Sequence, residues 1–158
     1  MDDAFDIRHA RQSDEVAITT LVRSERLNPT NLDWRRFILA MDGSGLLGAV
    51  QLRLHPDRSR ELGSLVVRPD ARGRGIAARM IDALLAPVGT RVLMITGAAF
   101  ARHYARWGFR RIPTAKAPLA IQRNYHFGRL IGGVLSLMAG RRPRELAILD
   151  REPPTRAR

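Results

Sequence analysis

A chain of 158 residues can bury one core without a metal or disulfide staple, and the absence of cysteine excludes thiol catalysis and cysteine-zinc sites. The four histidines, His9, His55, His103 and His126, lack metal-ligand spacing, so no metal is expected. A net charge of +12, carried almost wholly by arginine, favours anionic partners, yet aromatic residues make up only 6% and no helix-turn-helix or zinc-finger pattern accompanies the charge.

The acidic start, Met1-Asp2-Asp3-Ala4, has no apolar stretch of the secretory kind, and a cytoplasmic protein is the expectation. Phe5 to His9 alternates like a short strand, and Ser13-Asp14-Glu15 opens a helical run through Val16, Ile18, Leu21 and Val22. After the turn Asn28-Pro29-Thr30-Asn31, the segments Arg36 to Met41 and Leu46 to Leu54 form a hairpin about Asp42-Gly43-Ser44-Gly45. Leu52 and Leu54 alternate with Gln51 and Arg53, which predicts one wet face on the second strand. Glu61 to Arg68 reads as a strand, followed by a glycine turn and a helix to about Ala86, ended by Pro87 and Gly89. Arg91 to Thr96 is an apolar strand, Ala98 to Arg106 a short helix stopped at Gly108, and Phe109 to Ile112 another short strand.

Beyond the loop Pro113 to Pro118, apolar residues from Leu119 to Met138 recur at helical spacing with basic residues opposite. Leu130 to Ala139 is too short to span a bilayer. A core-packed helix is the preferred reading, and a surface-bound amphipathic helix flanked by Arg123, Arg129, Arg141 and Arg142 is the alternative. Glu145 to Asp150 is a last strand, and residues 152–158 read as a disordered basic tail. The order of elements predicts an α/β (α+β) fold over 1–151, one domain built on a mixed, mostly antiparallel sheet of about seven strands flanked by helices.

The stretch Leu65-Val66-Val67 through Arg72-Gly73-Arg74-Gly75 into Ile76-Ala77 carries the chemistry. Glycines there let an anion approach the backbone, and the following helix offers unpaired N–H groups and a positive dipole end. It is not a P-loop, because the lone lysine is the distant Lys116. Nor is it a dinucleotide fingerprint, because Ala77 stands at the third glycine position and Arg91 to Thr96 holds no acid.

Two motifs point to a family. Arg72-Gly73-Arg74-Gly75-Ile76-Ala77 has the form Gln/Arg-x-x-Gly-x-Gly/Ala, and Tyr104-Ala105-Arg106-Trp107-Gly108-Phe109 sets a Tyr four residues before Gly-Phe. Over nearly its whole length the chain resembles the GCN5-related N-acetyltransferase (GNAT) superfamily. The resemblance implies acetyl-CoA as donor and a primary amine as acceptor, joined by direct attack in a ternary complex without a covalent acyl-enzyme. It implies that Leu65, Val66 and Val67 offer the pantetheine arm their main chain, through Leu65 and Val67 in particular. The backbone of Arg72 through Ala77 would hold the pyrophosphate, with Arg72 and Arg74 adding charge and Arg74 reaching the ribose phosphate.

The resemblance makes Tyr104 the acid for the departing thiolate, with mere packing as the alternative. It makes Glu61 the base, with an exposed strand residue or an ion pair to Arg60 or Arg53 as the alternative. His55 is a remoter candidate, and His103 is expected to point about 100° away from its neighbour Tyr104. Gly97 stands where many members carry an Asn, and the helix before the last strand is an extra element where the family usually has a simple hairpin.

Acceptor choice falls to Leu27 to Trp34 and Ala117 to Ala139, with Trp34 either a pocket wall or a core residue. Arg35, Arg36, Arg123 and Arg129 favour an acceptor carrying a carboxylate, an amino-acid-like small molecule, over a polyamine or aminoglycoside. A monomer or homodimer is expected, without nucleic-acid or membrane partners. Two other classes stay open: an acyl-CoA-binding sensor without catalysis, and a basic binder of nucleic acid or a membrane surface.

Overall fold

Strands β1 (Asp6–His9), β2 (Phe37–Asp42), β3 (Gly45–Leu54), β4 (Arg60–Val67), β5 (Val92–Gly97), β6 (Arg110–Ile112) and β7 (Leu146–Arg151) alternate with helices α1 (Glu15–Ser24), α2 (Ile76–Leu85) and α3 (Leu119–Met138). They form one mixed sheet in the order β1-β2-β3-β4-β5-β7-β6, with α3 ahead of the last strand as the sequence predicts. This computed structural model describes residues 4–153. The acidic first three residues and the basic tail from 154 onward lie outside the described residues. The chain divides into two compact units, the chain up to Arg53 with Leu62–Val88, and Leu54–Glu61 with the chain from Gly89 onward.

In the first unit β1 pairs antiparallel with β2, and β2 with β3. The turn of the hairpin is held by the Asp42 carboxylate, which accepts from Ser44 N at 2.7 Å and Ser44 Oγ at 2.6 Å, while Gly45 supplies a φ of +109°. Helix α1 exists because Ile18, Leu21 and Val22 fall on one face, and that face buries against Phe37, Leu39, Ala49 and Val66. Leu27, Leu32 and Trp34, each partly buried, pack on the same cluster, and the Arg35 guanidinium lies over the Trp34 ring at 4.7 Å. At Gly48 the backbone passes so close to α2 and β4 that a Cβ would stand 2.9 Å from both Met80 Cε and the Val66 carbonyl oxygen.

The expected wet face of β3 is inverted. Gln51 and Arg53 are buried, whereas Leu54 is 43% exposed. The cause is a polar partner on β4: Ser64 Oγ accepts from Arg53 Nη2 at 2.7 Å and from Gln51 Nε2 at 3.1 Å. Ser64 itself has a φ of +51°, which interrupts the extended backbone of β4 ahead of Leu65.

In the second unit β7 pairs antiparallel with both β5 and β6. Leu93, Ala117, Ile121 and Ile148 make its core, with Ile95, Ile112 and Tyr125 packed around them. The start of α3 is capped from outside the helix, because the Asp57 carboxylate accepts from Ala120 N at 3.1 Å while also taking Ser59 N and Oγ. Core packing holds only for the first turns of α3. Ile121 is its one buried residue among those described, and a Cβ at Gly128 would stand 3.5 Å from Leu146 Cδ1. Past that point the bulky apolar side chains turn outward, which departs from the preferred core-packed reading. Gly140, with a φ of +63°, ends the helix, and Arg141 N donates back to Ser136 O at 2.8 Å. No described helix is long and apolar enough to cross a membrane.

Candidate active site

The loop from Arg72 to Ala77 takes its shape from two glycines. Gly73 and Gly75 have φ of +81° and +74°, a left-handed backbone that a side chain would strain. A Cβ at either position meets nothing within 4 Å, so the outer side of the loop is open. Among the described residues no carbonyl or side chain takes the N–H groups of Gly73, Gly75, Ile76 or Ala77, and α2 has no side-chain cap. Four donors at the positive end of a ten-residue helix can receive an anion.

Ile76 is buried and anchors the helix, while Ala77 is half-buried. Leu65 and Val67 are half-buried and Val66 is buried in the core, so the alternation puts Leu65 and Val67 on one side of β4. The two arginines of the loop are tied to carboxylates. Arg72 bonds Glu25 Oε2 and, through Nε at 3.1 Å, the Val67 carbonyl; Arg74 Nη1 lies 3.7 Å from Asp42 Oδ2. These contacts fix the loop.

Glu61 is 4% exposed, which rules out an ordinary exposed strand residue. Its Oε2 lies 2.8 Å from Nε2 of the equally buried His55 and accepts from Asn124 Nδ2 at 3.2 Å. Arg60 turns instead to Thr90. Three elements therefore converge on one carboxylate: the end of β3, the start of β4 and the second turn of α3. His55, the remoter candidate of the sequence, is in direct contact. Asn124 was missed, and no local signal could find it, since it stands 63 residues from Glu61.

Tyr104 lies in a run of 3₁₀ turns, Ala98–Trp107, that follows β5. It is half-buried among aromatic rings, with Trp107 at 6.0 Å and Phe109 at 6.5 Å between centroids. Burial raises its hydroxyl pKa above the ordinary phenol value, and a hydrogen bond to the Thr96 side chain partly offsets this. His103 is not turned away as expected. Its ring meets Tyr104 edge-on at 5.7 Å, because both reach over Trp107.

Of the four arginines assigned to an acceptor carboxylate, Arg35 and Arg36 are paired with Asp33 at 3.5 and 3.3 Å, and Arg129 lies over Tyr125. Arg123, one residue before Asn124, is exposed and has no carboxylate partner among the described residues. No group of three or more His, Asp or Glu residues able to hold a metal occurs among the described residues.

Residues 33–111 match the family model described as an acetyltransferase (GNAT) domain. No curated protein matches the sequence. Among solved structures, N-acetylglutamate synthase from Neisseria gonorrhoeae, complexed with coenzyme A and N-acetyl-glutamate, superposes with a TM-score of 0.71 at 18% identity. That match covers 98% of this chain and 36% of the other, so the chain spans little more than a third of that protein. Rv2747 from Mycobacterium tuberculosis, in complex with CoA, gives 0.68 at 21% identity over 94% of this chain and 99% of its own. A GNAT-family acetyltransferase from Staphylococcus aureus gives 0.65 at 13% identity, covering 94% and 99%.

Proposed function

The chain belongs to the GNAT acetyltransferase family, and on that premise we propose that it is an N-acetyltransferase using acetyl-CoA and an amino-acid-like acceptor. The observation that carries the reading is the cradle at Gly73 to Ala77, where the N–H groups of Gly73, Gly75, Ile76 and Ala77 are untaken among the described residues and the outer side is open. A diphosphate with an adenosine phosphate beside it fits such a site, and Arg72 and Arg74 lie alongside. Coenzyme A, the ligand in the Neisseria and Mycobacterium structures, has that chemistry.

Acetyl-CoA supplies an acetyl group activated as a thioester. Leu65 and Val67, just past the interruption of β4 at Ser64, present backbone groups to the pantetheine arm. Glu61 takes a proton from the acceptor ammonium. The amine then forms its N–C bond as the C–S bond breaks; Tyr104 gives a proton to the departing thiolate and regains one from the new amide nitrogen, which sheds its second proton. A phenol kept neutral by burial suits that role, because it holds its proton across the physiological range. His55 and Asn124 act as positioning residues, orienting the Glu61 carboxylate from two sides.

Arg123 supports an acceptor carrying a carboxylate, being exposed on the same turn of α3 as Asn124. N-acetyl-glutamate in the Neisseria structure is a molecule of that kind. The test is a panel of amines with acetyl-CoA, read by release of free CoA thiol. Turnover of acidic or neutral amino acids, weakened in Arg123→Gln through KM, is the expected result. Turnover of spermidine alone would contradict the acceptor, and tight acetyl-CoA binding without turnover of any amine would leave a sensor.

A further inference from the structure

Helix α3 presents a second surface that the transfer reaction does not use. At about 100° per residue, Ile121, Tyr125 and Gly128 share the side that meets the body of the protein. Leu130, Ile131, Val134, Leu137 and Met138 occupy an arc of about 120° on the other side, and Leu135 lies at its margin, beside the direction of Gly128. Their exposures run from 43% for Ile131 to 80% for Leu137 and Met138, and Phe127 extends the stripe at 55%. Isolated exposed leucines are ordinary, but a continuous stripe over three turns of one helix is an interaction surface.

Charge identifies the occupant. No Asp or Glu occurs between Asp82 and Glu145, while Arg129 lies along the helix and Arg141, Arg142 and Arg144 follow its last turn. The carboxylates near α3 are engaged, Asp57 with Ser59 and the start of α3, Glu61 with His55 and Asn124, and Glu145 with Arg111. A second copy of the chain would bring a second set of these arginines against the first. A bilayer with anionic headgroups offers what the face requires, an apolar depth for the stripe and phosphates for the arginines at its edge.

We propose that the outer face of α3 docks on an anionic lipid surface, with the helix lying in the plane of the interface. Helix length and hydropathy exclude the alternative of spanning. The three glycines of α3, Gly128, Gly132 and Gly133, weaken an unsupported helix, so the surface would also stabilise the helical state.

The experiment is co-sedimentation of the full chain with phosphatidylcholine vesicles, with and without roughly one third phosphatidylglycerol. The parent is expected to bind the anionic vesicles on the order of ten-fold better than neutral ones, and less at about 0.5 M salt than at about 0.1 M. Leu130→Glu with Leu135→Glu should abolish binding, and Arg141→Gln with Arg142→Gln should weaken it. Acetyl-CoA binding should survive in both variants. Leu137→Ser with Met138→Ser, at the exposed end of the helix, guards against misfolding and should also weaken binding.

Failure of the parent to bind anionic vesicles overturns the proposal. So does binding that the Leu130 and Leu135 substitutions leave intact, which would reduce it to charge alone. Lipid-free dimerisation abolished by the same substitutions, without vesicle binding, would assign the face to a second copy.

Discussion

Glu61 and His55 invite a perturbation that separates chemistry from architecture. Both side chains are more than nine-tenths buried and stand 2.8 Å apart, with Asn124 on the same carboxylate oxygen. A hydrogen bond to a charged group contributes about 1.5–3 kcal/mol, and removing one partner strands the other. In a domain of this size 1 kcal/mol moves Tm by roughly 2–4 °C, so Glu61→Gln and His55→Gln should each lower Tm by about 3–12 °C. The double variant should lose less than the sum, with a coupling energy of about 1.5–3 kcal/mol. If Glu61 is the base, kcat/KM falls by about 10²–10⁴ in Glu61→Gln, whereas His55→Gln loses less because it acts through the carboxylate. Thermal unfolding followed by circular dichroism and thiol release from acetyl-CoA give the two readouts. Strictly additive Tm losses would refute the pair. A Glu61→Gln enzyme within about three-fold of the parent in kcat, but destabilised, would refute the base.

Tyr104→Phe should cut kcat by about 10²-fold while leaving the acetyl-CoA Kd unchanged, measured by steady-state kinetics and calorimetry. Because burial raises the folded pKa of Tyr104, its contribution to stability is intact below the ordinary phenol value of about 10 and is lost as pH rises through the folded one. The alkaline limb of kcat should therefore begin above about 10 in the parent and vanish in the Phe variant. Gly48→Ala should lower Tm by about 2–12 °C through overpacking of about 1–3 kcal/mol, and Met80→Ala should not rescue it, because the Val66 carbonyl cannot move aside as a methionine can. Asp57→Ala should remove about 1 kcal/mol by uncapping α3. Since Ser59 first, then the backbone N–H groups, hold the Asp57 carboxyl below its ordinary value, that stability is present above about pH 4 and lost on acidification. The variant should show a flatter fall of Tm with falling pH.

Features written in adjacent residues were legible in the sequence. The hairpin at Asp42 to Gly45, the glycines at 73 and 75 and the stop at Gly108 each follow from backbone chemistry within a few residues. The cluster around Glu61 was half legible: Glu61 stood out at the start of its strand, but His55 and Asn124 reach it through a loop and a helix that no local pattern joins. The inversion of β3 was hidden for the same reason, since Gln51 and Arg53 turn inward to meet Ser64 on another strand. For α3 the period revealed an apolar stripe but not which side of the helix faced the core. Ile121 and Tyr125 settle that, and the larger residues fall opposite.

The central claim is that the loop from Arg72 to Ala77 holds the pyrophosphate of acetyl-CoA. Calorimetric titration of the purified protein with acetyl-CoA at physiological ionic strength tests it directly, alongside Gly75→Glu, which puts bulk and negative charge into the cradle at a φ of +74°. Micromolar binding by the parent, lost in a variant that still unfolds cooperatively, is the predicted result. No binding by the folded parent, or equal binding by the variant, would contradict the account.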